Sequence, residues 1–316
     1  MNNKCGLFSA PHSFLGELKE KYNSILPTDF YEMWDRSDLN SSDKLQVWIV
    51  NPGQKFVIDK DIIKLFPNLE LIITPSTGKN HIDEQHCKSH RIAVHSLLDV
   101  RDTLGTITAS SEFTFLLILN ALRRSDFAVK EVAENRWRDN EEKLRGYELC
   151  GKSIGIIGLG RIGSNIAKWC EAFDAKVSYF DPYVNSARYS SISIKNIFSK
   201  SDIICVSCTL TEDTKGFINQ KLLSQLKHNA SLINTSRGEI INEADLIDII
   251  NNREDINICL DVLSGEVTNS QFSSPLVELH RKGRITITPH IAGATYDSQI
   301  KAAKGALELL KHHYDK

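Results

Sequence analysis

Four ionisable side chains lie directly after short apolar runs in the second half of the chain. Arg237 follows SLINTS, Asp261 ends NICLD with Glu266 shortly after it, and His290 ends ITITPH. A guanidinium offers a planar fork of donors to a carboxylate and an adjacent carbonyl oxygen. An imidazole exchanges a proton near neutral pH, and a carboxylate beside it can orient it. These residue types are therefore candidates for binding a small acid and moving a proton on it.

Each of these residues also has a structural explanation when it is taken alone. Arg237 can bridge to a neighbouring loop, and Asp261 and Glu266 can be solvated loop acids. A single histidine after a proline, such as His290, is more often structural than catalytic. The choice between the structural and the catalytic explanation depends on whether the fold brings these residues together.

The first part of the chain alternates β-branched runs with amphipathic stretches. This alternation indicates βαβ units and a parallel sheet. The predicted strands are 5–9, 45–50, 69–74 and 92–95, and the predicted helices are 12–21, 58–66, 82–90 and about 106–124. Residues 126–146 are dominated by charges and are predicted to be a solvated connector.

The alternation restarts more clearly from Lys152. The strand-like runs are SIGII, KVSYF, DIICVSC, ASLINTS, INICLDV and ITITPH, separated by helical stretches. In an open parallel sheet, ligands bind beyond the carboxyl ends of the strands. We therefore expect the polar residues that end four of these runs to face one crevice: Asp181, Ser236, Asp261 and His290.

A glycine-rich turn follows the first of these runs. Gly158, Gly160 and Gly163 fit G-x-G-x-x-G between a strand and a helix, with Arg161 and Ile162 inside the motif. Gly158 allows a tight turn, Gly160 lets a pyrophosphate approach the backbone, and Gly163 lets the helix pack closely on the strand. The N–H groups and dipole at the helix N-terminus favour binding of phosphate. A structural glycine turn in another α/β protein is the alternative.

The end of the next strand indicates which dinucleotide this turn would bind. Asp181 follows Gly158 by about 20 residues, the distance at which an acidic residue contacts the ribose hydroxyls of NAD. A carboxylate there repels a 2′-phosphate, so NAD is favoured over NADP. Arg188 is the nearest cation that could bind a 2′-phosphate and so favour NADP instead.

Composition excludes several other classes of protein. The 316 residues are 41% hydrophobic and 25% charged, and 38 basic residues nearly balance 40 acidic ones, which argues against a nucleic-acid-binding protein. The longest apolar run, 113–122, is shorter than the roughly 20 residues that span a bilayer. The N-terminus has no signal pattern, so we expect a cytoplasmic protein without membrane contact.

The cysteines and histidines do not form a recognisable metal site. Seven scattered cysteines indicate free thiols in a reducing compartment. Cys205 and Cys208 form a C-x-x-C, for which strand packing is favoured over a redox or zinc role. His86, His90 and His95 lie too far from other ligands, so we predict no metal.

The motifs together resemble the D-isomer-specific 2-hydroxyacid dehydrogenase family. The resemblance runs from about Thr74 to Thr295 and includes STGKNHID, RGYELCGKSIGIIGLGRIG, LINTSRGEIIN, CLDVLSGE and TPHIAGAT. It implies an enzyme that transfers hydride between NAD(H) and C2 of a small D-2-hydroxy or 2-keto acid. The alternative is an NAD-sensing binding protein or corepressor without turnover.

The resemblance assigns roles to individual residues. His290 would donate and accept the proton, Glu266 would accept a hydrogen bond from its other ring nitrogen, and Arg237 would bind the substrate carboxylate. The backbone of Ser76, Thr77 and Gly78 would hold the same carboxylate. The implied cofactor contacts are Gly158, Gly160, Arg161, Ile162, Gly163, Asp181, Cys208, Thr209, Thr235, Ser236, Asp261 and Gly293.

The family also implies a two-domain α/β architecture. A doubly wound Rossmann NAD-binding domain would span 108–291, and a discontinuous flavodoxin-like substrate domain would combine 1–107 with 292–316. We expect a homodimer, with the helix near 112–123 and the charged segment 125–147 at the interface. The short stretch after His290 leads us to expect a form without a C-terminal regulatory domain.

Three positions depart from the family pattern. Thr209 stands where a proline is usual, in the loop expected to lie over the cofactor, and Phe113 stands where many members have histidine. Asn51 follows the strand after which members acting on phosphoglycerate commonly have a basic residue. Since an amide cannot neutralise a phosphate, this position disfavours a phosphorylated substrate.

Overall fold

The computed structural model describes residues 5–139, 141–268 and 270–315, which form two compact units. The first unit combines 1–107, 266–270 and 294–316, and the second combines 108–265 with 271–293. The predicted substrate domain includes residues 1–4 and 316, and the predicted connector includes 140, all of which lie outside the described residues. The assignment of the two ranges to substrate and cofactor stays a prediction.

The strands and helices alternate along most of the chain. The strands are β1 Cys5–Phe8, β2 Thr28–Phe30, β3 Leu45–Ile49, β4 Leu71–Thr74, β5 Ala93–Ser96, β6 Ser153–Ile157, β7 Lys176–Phe180, β8 Ser190–Ser191, β9 Ile203–Val206, β10 Ser231–Asn234, β11 Asn257–Leu260 and β12 Thr286–Ile287. The helices are α1 Leu18–Asn23, α2 Lys60–Ile63, α3 Glu84–Ser89, α4 Arg101–Gly105, α5 Ala109–Arg123, α6 Ser125–Ala133, α7 Glu141–Leu144, α8 Arg161–Ala172, α9 Ile194–Lys200, α10 Gln220–Leu223, α11 Glu243–Asn252, α12 Pro275–Arg281 and α13 Tyr296–Tyr314.

The first unit is built on a parallel sheet with the order β2-β1-β3-β4-β5 over the described residues. This is the flavodoxin-like order, in which the direction of winding reverses between the first and third strands. Successive side chains of β3 enter different cores, Val47 and Ile49 on one face and Trp48 on the other. Both faces of the sheet are therefore covered, as is usual for parallel sheets.

The second unit is built on a parallel sheet with the order β12-β11-β10-β9-β6-β7-β8 within the described ranges. Read from β6, this is the doubly wound Rossmann order extended by one strand. In β9, Ile204 and Val206 enter one core, and Ile203 and Cys205 enter the other. The carboxyl ends of β6, β7, β9, β10, β11 and β12 lie along one edge of this sheet.

Several predicted elements differ from those observed. The segment 126–146, predicted to be a connector, contains α7 and most of α6. The many charged residues hid the helical pattern of this segment. One of them, Glu131, is buried like an apolar residue and accepts a 2.8 Å hydrogen bond from Nε of Arg136. The helix expected over 12–21 begins only at Leu18, after Gly16 with φ +50°. Strands β2 and β8 were not predicted.

The long apolar helix expected over 106–124 is also shorter than predicted. The stretch 101–123 is long and apolar enough in composition to cross a membrane. The structure interrupts it between α4 and α5, at 106–108. Residues Leu117, Ile118 and Leu122 of α5 pack in a protein core with β6 and α8. Its apolar character is therefore explained by burial inside the second unit.

Candidate active site

The glycine-rich turn joins β6 to α8. Gly158 has φ +90°, and a Cβ on it would lie 2.8 Å from the backbone of Cys208. A Cβ on Gly163 would lie 2.1 Å from the carbonyl oxygen of Gly158, whereas one on Gly160 would meet nothing within 4 Å. Two of the glycines thus permit close packing of turn, helix and neighbouring loop, while the third leaves space for a ligand to approach.

The end of β7 is tied to this turn by Asp181. Its Oδ2 accepts the backbone N–H of Leu159 at 2.8 Å. Its Oδ1 accepts the backbone N–H groups of Tyr183 and Val184 at 2.9 and 3.1 Å. Because the Asp181 carboxylate is fixed on both sides, it presents a negative charge at a defined position beside the glycine turn.

The loop after β9 contains Cys208 and Thr209, two of the predicted cofactor contacts. Oγ1 of Thr214 donates to the carbonyl of Thr209 at 2.7 Å and accepts the backbone N–H of Thr211 at 2.7 Å. Oγ1 of Thr211 in turn accepts the backbone N–H of Thr214 at 3.3 Å. Two threonine hydroxyls therefore brace the loop in which the family usually has a proline.

Arg237 lies on a loop whose shape is set by Asn234 at the end of β10. The buried Asn234 amide accepts from the backbone N–H of Ser236 at 3.0 Å and donates to the carbonyl of Arg237 at 2.9 Å. Oγ of Ser236 donates to the carbonyl of Val206 at 2.9 Å. These bonds attach the Arg237 loop to the ends of both β9 and β10.

Gly238 brings the Arg237 loop against the segment that follows β11. A Cβ on Gly238 would lie 2.1 Å from the carbonyl carbon of Leu263 and 2.3 Å from the nitrogen of Ser264. Both atoms belong to the backbone, so no side-chain movement could relieve the clash. A residue larger than glycine would therefore displace Arg237.

His290 lies on a turn held by the end of β11. It has φ +55°, and its backbone N–H donates to the carbonyl of Asp261 at 2.8 Å. The Asp261 carboxylate accepts hydrogen bonds from the backbone N–H groups of Ile291 at 3.0 Å and Ala292 at 2.8 Å. It also accepts one from the hydroxyl of Thr288 at 2.5 Å. Asp261 is 1% exposed, and burial raises the pKa of its carboxyl.

Arg161 and Ile162 are the first two residues of α8, and Thr235 and Gly293 have identifiable neighbours in the second unit. Thr235 is buried and shares a 2.7 Å hydrogen bond with Thr114 of α5. A Cβ on Gly293 would lie 3.5 Å from Oγ of Ser110, which is ordinary contact. Thr114 had no predicted role, although a threonine within an apolar helix is a signal that a polar partner faces it.

The predicted carboxylate-binding loop lies in the first unit, after β4. Oγ of Ser76 donates to the carbonyl of Gly78 at 2.9 Å and is 2.9 Å from Oγ1 of Thr74. The Ser76 carbonyl accepts the N–H of Leu97 at 3.0 Å. These bonds fold residues 74–78 into a turn around the Ser76 hydroxyl. Glu266, also grouped with the first unit, begins a 3-10 turn and is half-buried.

The two cysteines of the C-x-x-C occupy different environments. Cys205 is fully buried in the sheet core, and burial raises the pKa of its thiol. Burial also raises the pKa of Cys208 to about 11. Both thiols therefore stay protonated at neutral pH, which does not suit a redox pair. The described residues contain no group of three or more side chains that could hold a metal ion.

The second unit thus gathers many predicted residues at one sheet edge. In spatial order, His290, Asp261, Arg237, Cys208, Gly158 and Asp181 follow β12, β11, β10, β9, β6 and β7. Ligands of open parallel sheets bind at this edge. The arrangement provides a glycine-rich turn, a fixed carboxylate, an arginine and a histidine on loops of one sheet.

A known protein family matches most of the second unit. Residues 115–292 match the NAD binding domain of the D-isomer specific 2-hydroxyacid dehydrogenases. The chain is 32% identical over 269 residues to the glyoxylate reductase of Thermofilum pendens, covering 80% of this chain and 76% of that protein. It is 29% identical over 289 residues to the D-3-phosphoglycerate dehydrogenase of Bacillus subtilis, covering 88% of this chain but 52% of that longer protein.

A solved structure shares the fold over nearly the whole length. The D-lactate dehydrogenase from Aquifex aeolicus, complexed with NAD and lactic acid, aligns with a TM-score of 0.82 at 25% identity. The alignment covers 99% of this chain and 96% of that one. The predicted α/β class with two parallel sheets is confirmed, as is NAD as the cofactor of the matched domain. The chain belongs to the D-isomer specific 2-hydroxyacid dehydrogenase family.

Proposed function

We propose that the protein is an NAD-dependent dehydrogenase acting on C2 of a small, unphosphorylated D-2-hydroxy or 2-keto acid. One observation carries the proposal: the Arg237 loop and the His290 turn are both fixed against the residues that follow β11. Both loops leave the sheet at the edge where dinucleotides bind, which supports a role for Arg237 and His290 there.

The proposed chemistry divides among a few side chains. His290 gives a proton to the C2 oxygen during reduction and takes it back during oxidation, and Glu266 accepts a hydrogen bond from the other ring nitrogen. Arg237 binds the substrate carboxylate and polarises the adjacent carbonyl. The backbone N–H groups of Ser76, Thr77 and Gly78 bind the same carboxylate.

The residues around the glycine turn suit NAD better than NADP. When bound, the nicotinamide ring gives or accepts the hydride. Gly160 leaves space for the pyrophosphate beside the N-terminus of α8, and the fixed Asp181 carboxylate suits ribose hydroxyls but repels a 2′-phosphate. Arg188 is paired with Glu171, so it already has an anionic partner.

An unphosphorylated substrate is supported by the loop after β3. The buried Asn51 amide donates to the carbonyl of Met33 at 2.8 Å, and its oxygen accepts the N–H of Gly53 at 2.9 Å. Its polar groups are therefore engaged within the protein. Lys55, the cation of this loop, lies 3.7 Å from Asp35. Neither residue offers the free positive charge that a phosphate requires.

The direct test is oxidation of NADH by the purified protein with a panel of glyoxylate, pyruvate, hydroxypyruvate and longer 2-keto acids. We expect turnover with at least one of them. Because glyoxylate gives achiral glycolate, the D product is identified by chiral chromatography with pyruvate, hydroxypyruvate or a longer acid. NADH binding without turnover on any 2-keto acid would contradict the proposal and favour an NAD-sensing protein. An L product would contradict the assigned stereochemistry.

We also propose a cytoplasmic homodimer. All seven cysteines are free, which suits a reducing compartment.

The outer surface of α5 and the segment 125–147 expose large apolar side chains, among them Leu116, Val129 and the 75%-exposed Trp137. Large apolar side chains exposed on successive segments of the chain support the proposed interface. Light scattering should give twice the chain mass for the native protein and the mass of one chain for Val129→Glu with Trp137→Glu.

A further inference from the structure

Residues 125–147 form an arm that leaves and rejoins the same end of α5. Arg124, with φ +50°, turns the chain out of that helix. At the far end of the arm, the backbone N–H of Tyr147 donates to the carbonyl of Leu122 at 2.9 Å. A Cβ on Gly146 would lie 2.2 Å from the same carbonyl oxygen. Both ends of the arm are therefore fixed at one place on α5.

The arm reverses the usual arrangement of polar and apolar side chains. Glu131 is the only buried residue among the arm residues that the structure describes. Its Oε1 lies 2.5 Å from Nη2 of Arg136. In contrast, Val129 is 70% exposed and Trp137 is 75% exposed. An ion pair inside and apolar side chains outside indicate that another apolar surface covers the arm.

The exposed Trp137 is held in place by its neighbours. Its backbone N–H donates to Oδ2 of Asp139 at 3.1 Å. On one side Arg136 is fixed by the ion pair described above, and on the other Nη2 of Arg138 lies 2.9 Å from Oε1 of Glu141. A tryptophan offers a large contact area at a low cost in conformational entropy, and tryptophans are enriched among the side chains that dominate interfaces.

The exposed faces of α5 and α8 form an apolar groove that a tryptophan side chain can enter. The groove is about 290 Å³ in volume, and its lining residues are Glu112, Phe115, Trp169, Ala172 and Phe173. The ring centroid of Phe115 lies 6.1 Å from that of Trp169 and 5.3 Å from that of Phe173. The groove is far larger than the about 10–15 Å³ that one water needs, so it has room for a large side chain.

Building on the proposed homodimer, we infer that Trp137 of each copy enters the groove between α5 and α8 of the other copy. The charges of the two surfaces are complementary: Glu112 lies at the groove, and Arg136 and Arg138 flank Trp137 in the arm. Within one copy Trp137 and Phe173 both stay exposed, so the arm does not cover its own groove. A two-fold axis makes the contact twice, once in each direction.

The test uses one variant of the arm and one of the groove. Trp137→Ser and Phe173→Ser each change an exposed side chain, so both variants should fold, which circular dichroism verifies. Each variant dimer loses two contacts, and we expect its Kd by sedimentation equilibrium to rise by at least about 100-fold. Tyr183→Ser is the matched control, since it removes another exposed aromatic side chain of the second unit and should leave the Kd unchanged.

A mixture of the two variants shows which surfaces meet. In a mixed dimer, the intact arm of the Phe173 variant meets the intact groove of the Trp137 variant, so one contact is restored. We expect the mixture to dimerise with a Kd at least about 10-fold below that of either variant alone. No gain on mixing, or a wild-type Kd in either variant, would overturn the inference alone. A monomeric wild type would overturn the proposed homodimer as well and would leave the groove to a different protein.

Discussion

The backbone N–H of His290 donates a hydrogen bond to the carbonyl of Asp261 across 2.8 Å, and the Asp261 carboxylate accepts the two backbone N–H groups that follow. One buried residue thus fixes a turn in which His290 adopts φ +55°. Non-glycine residues in this conformation persist where the surrounding structure holds them. The backbone conformation at His290 therefore depends on Asp261.

Replacement of Asp261 by asparagine should disrupt this turn. The amide group of asparagine turns a donor toward backbone N–H groups, so at least one hydrogen bond is lost in a buried site. We expect the free energy of unfolding to fall by about 2–4 kcal/mol and kcat to fall by about 100-fold. Urea unfolding and steady-state assays measure both. The exposed Asp248→Asn is the control, and wild-type kcat in the Asp261 variant would show that the turn does not need the carboxylate.

Gly238→Ala should disable the Arg237 loop. Its Cβ would lie within 2.3 Å of the backbone of both Leu263 and Ser264, so one of the two loops must move. We expect KM for the 2-keto acid to rise and kcat/KM to fall by about 100-fold, since a displacement of about 1 Å can cost that much. Gly105→Ala, where an added Cβ meets nothing within 4 Å, should leave kcat/KM unchanged. Equal kinetics for both variants would remove the steric argument.

Asp181 should decide between the two dinucleotides. Asp181→Ser removes the charge that repels a 2′-phosphate, and we expect the ratio of the Kd for NADPH to the Kd for NADH to fall by at least about 10-fold, as measured by fluorescence titration. Arg188→Ala should leave that ratio unchanged, because the guanidinium is already paired with Glu171. A large change in the Arg188 variant would instead identify it as the residue that selects the cofactor.

Thr214 should stiffen the loop that contains Cys208 and Thr209. Thr214→Val removes a hydroxyl that both donates to Thr209 and accepts from Thr211. We expect the Kd for NADH to rise by about 3- to 10-fold, in proportion to one or two lost hydrogen bonds. Thr214→Ser keeps the hydroxyl and should bind like wild type. If valine and serine bind NADH equally well, the loop does not depend on this bond.

Much of the second sheet was predictable from local sequence. Its strands are short β-branched runs bounded by turns, and the polar residues at their ends, such as Asp181 and Asp261, mark the edge where the candidate site lies. Strand β8 was not predictable, because its two serines carry no apolar pattern. In the first sheet, β2 was missed because its three residues include Asp29 and show no clear alternation. Strand order was predictable only through the family resemblance, since hydrophobic patterns do not encode which strands are neighbours.

The candidate site shows the same division between local and distant information. The glycine turn was predictable because the G-x-G-x-x-G spacing lies between a strand and a helix in the sequence itself. The attachment of His290 to Asp261 was not, since it joins backbone groups that are far apart in the chain.

The most direct test of the proposed chemistry is the turnover of His290→Asn. An asparagine keeps a polar side chain and tolerates the φ of this turn, but it cannot transfer the proton. We predict that kcat with the best 2-keto acid falls by at least about 10³-fold while the Kd for NADH stays within about 3-fold of wild type. A variant that reduces the 2-keto acid at nearly the wild-type rate would contradict the assignment of His290 as the proton donor.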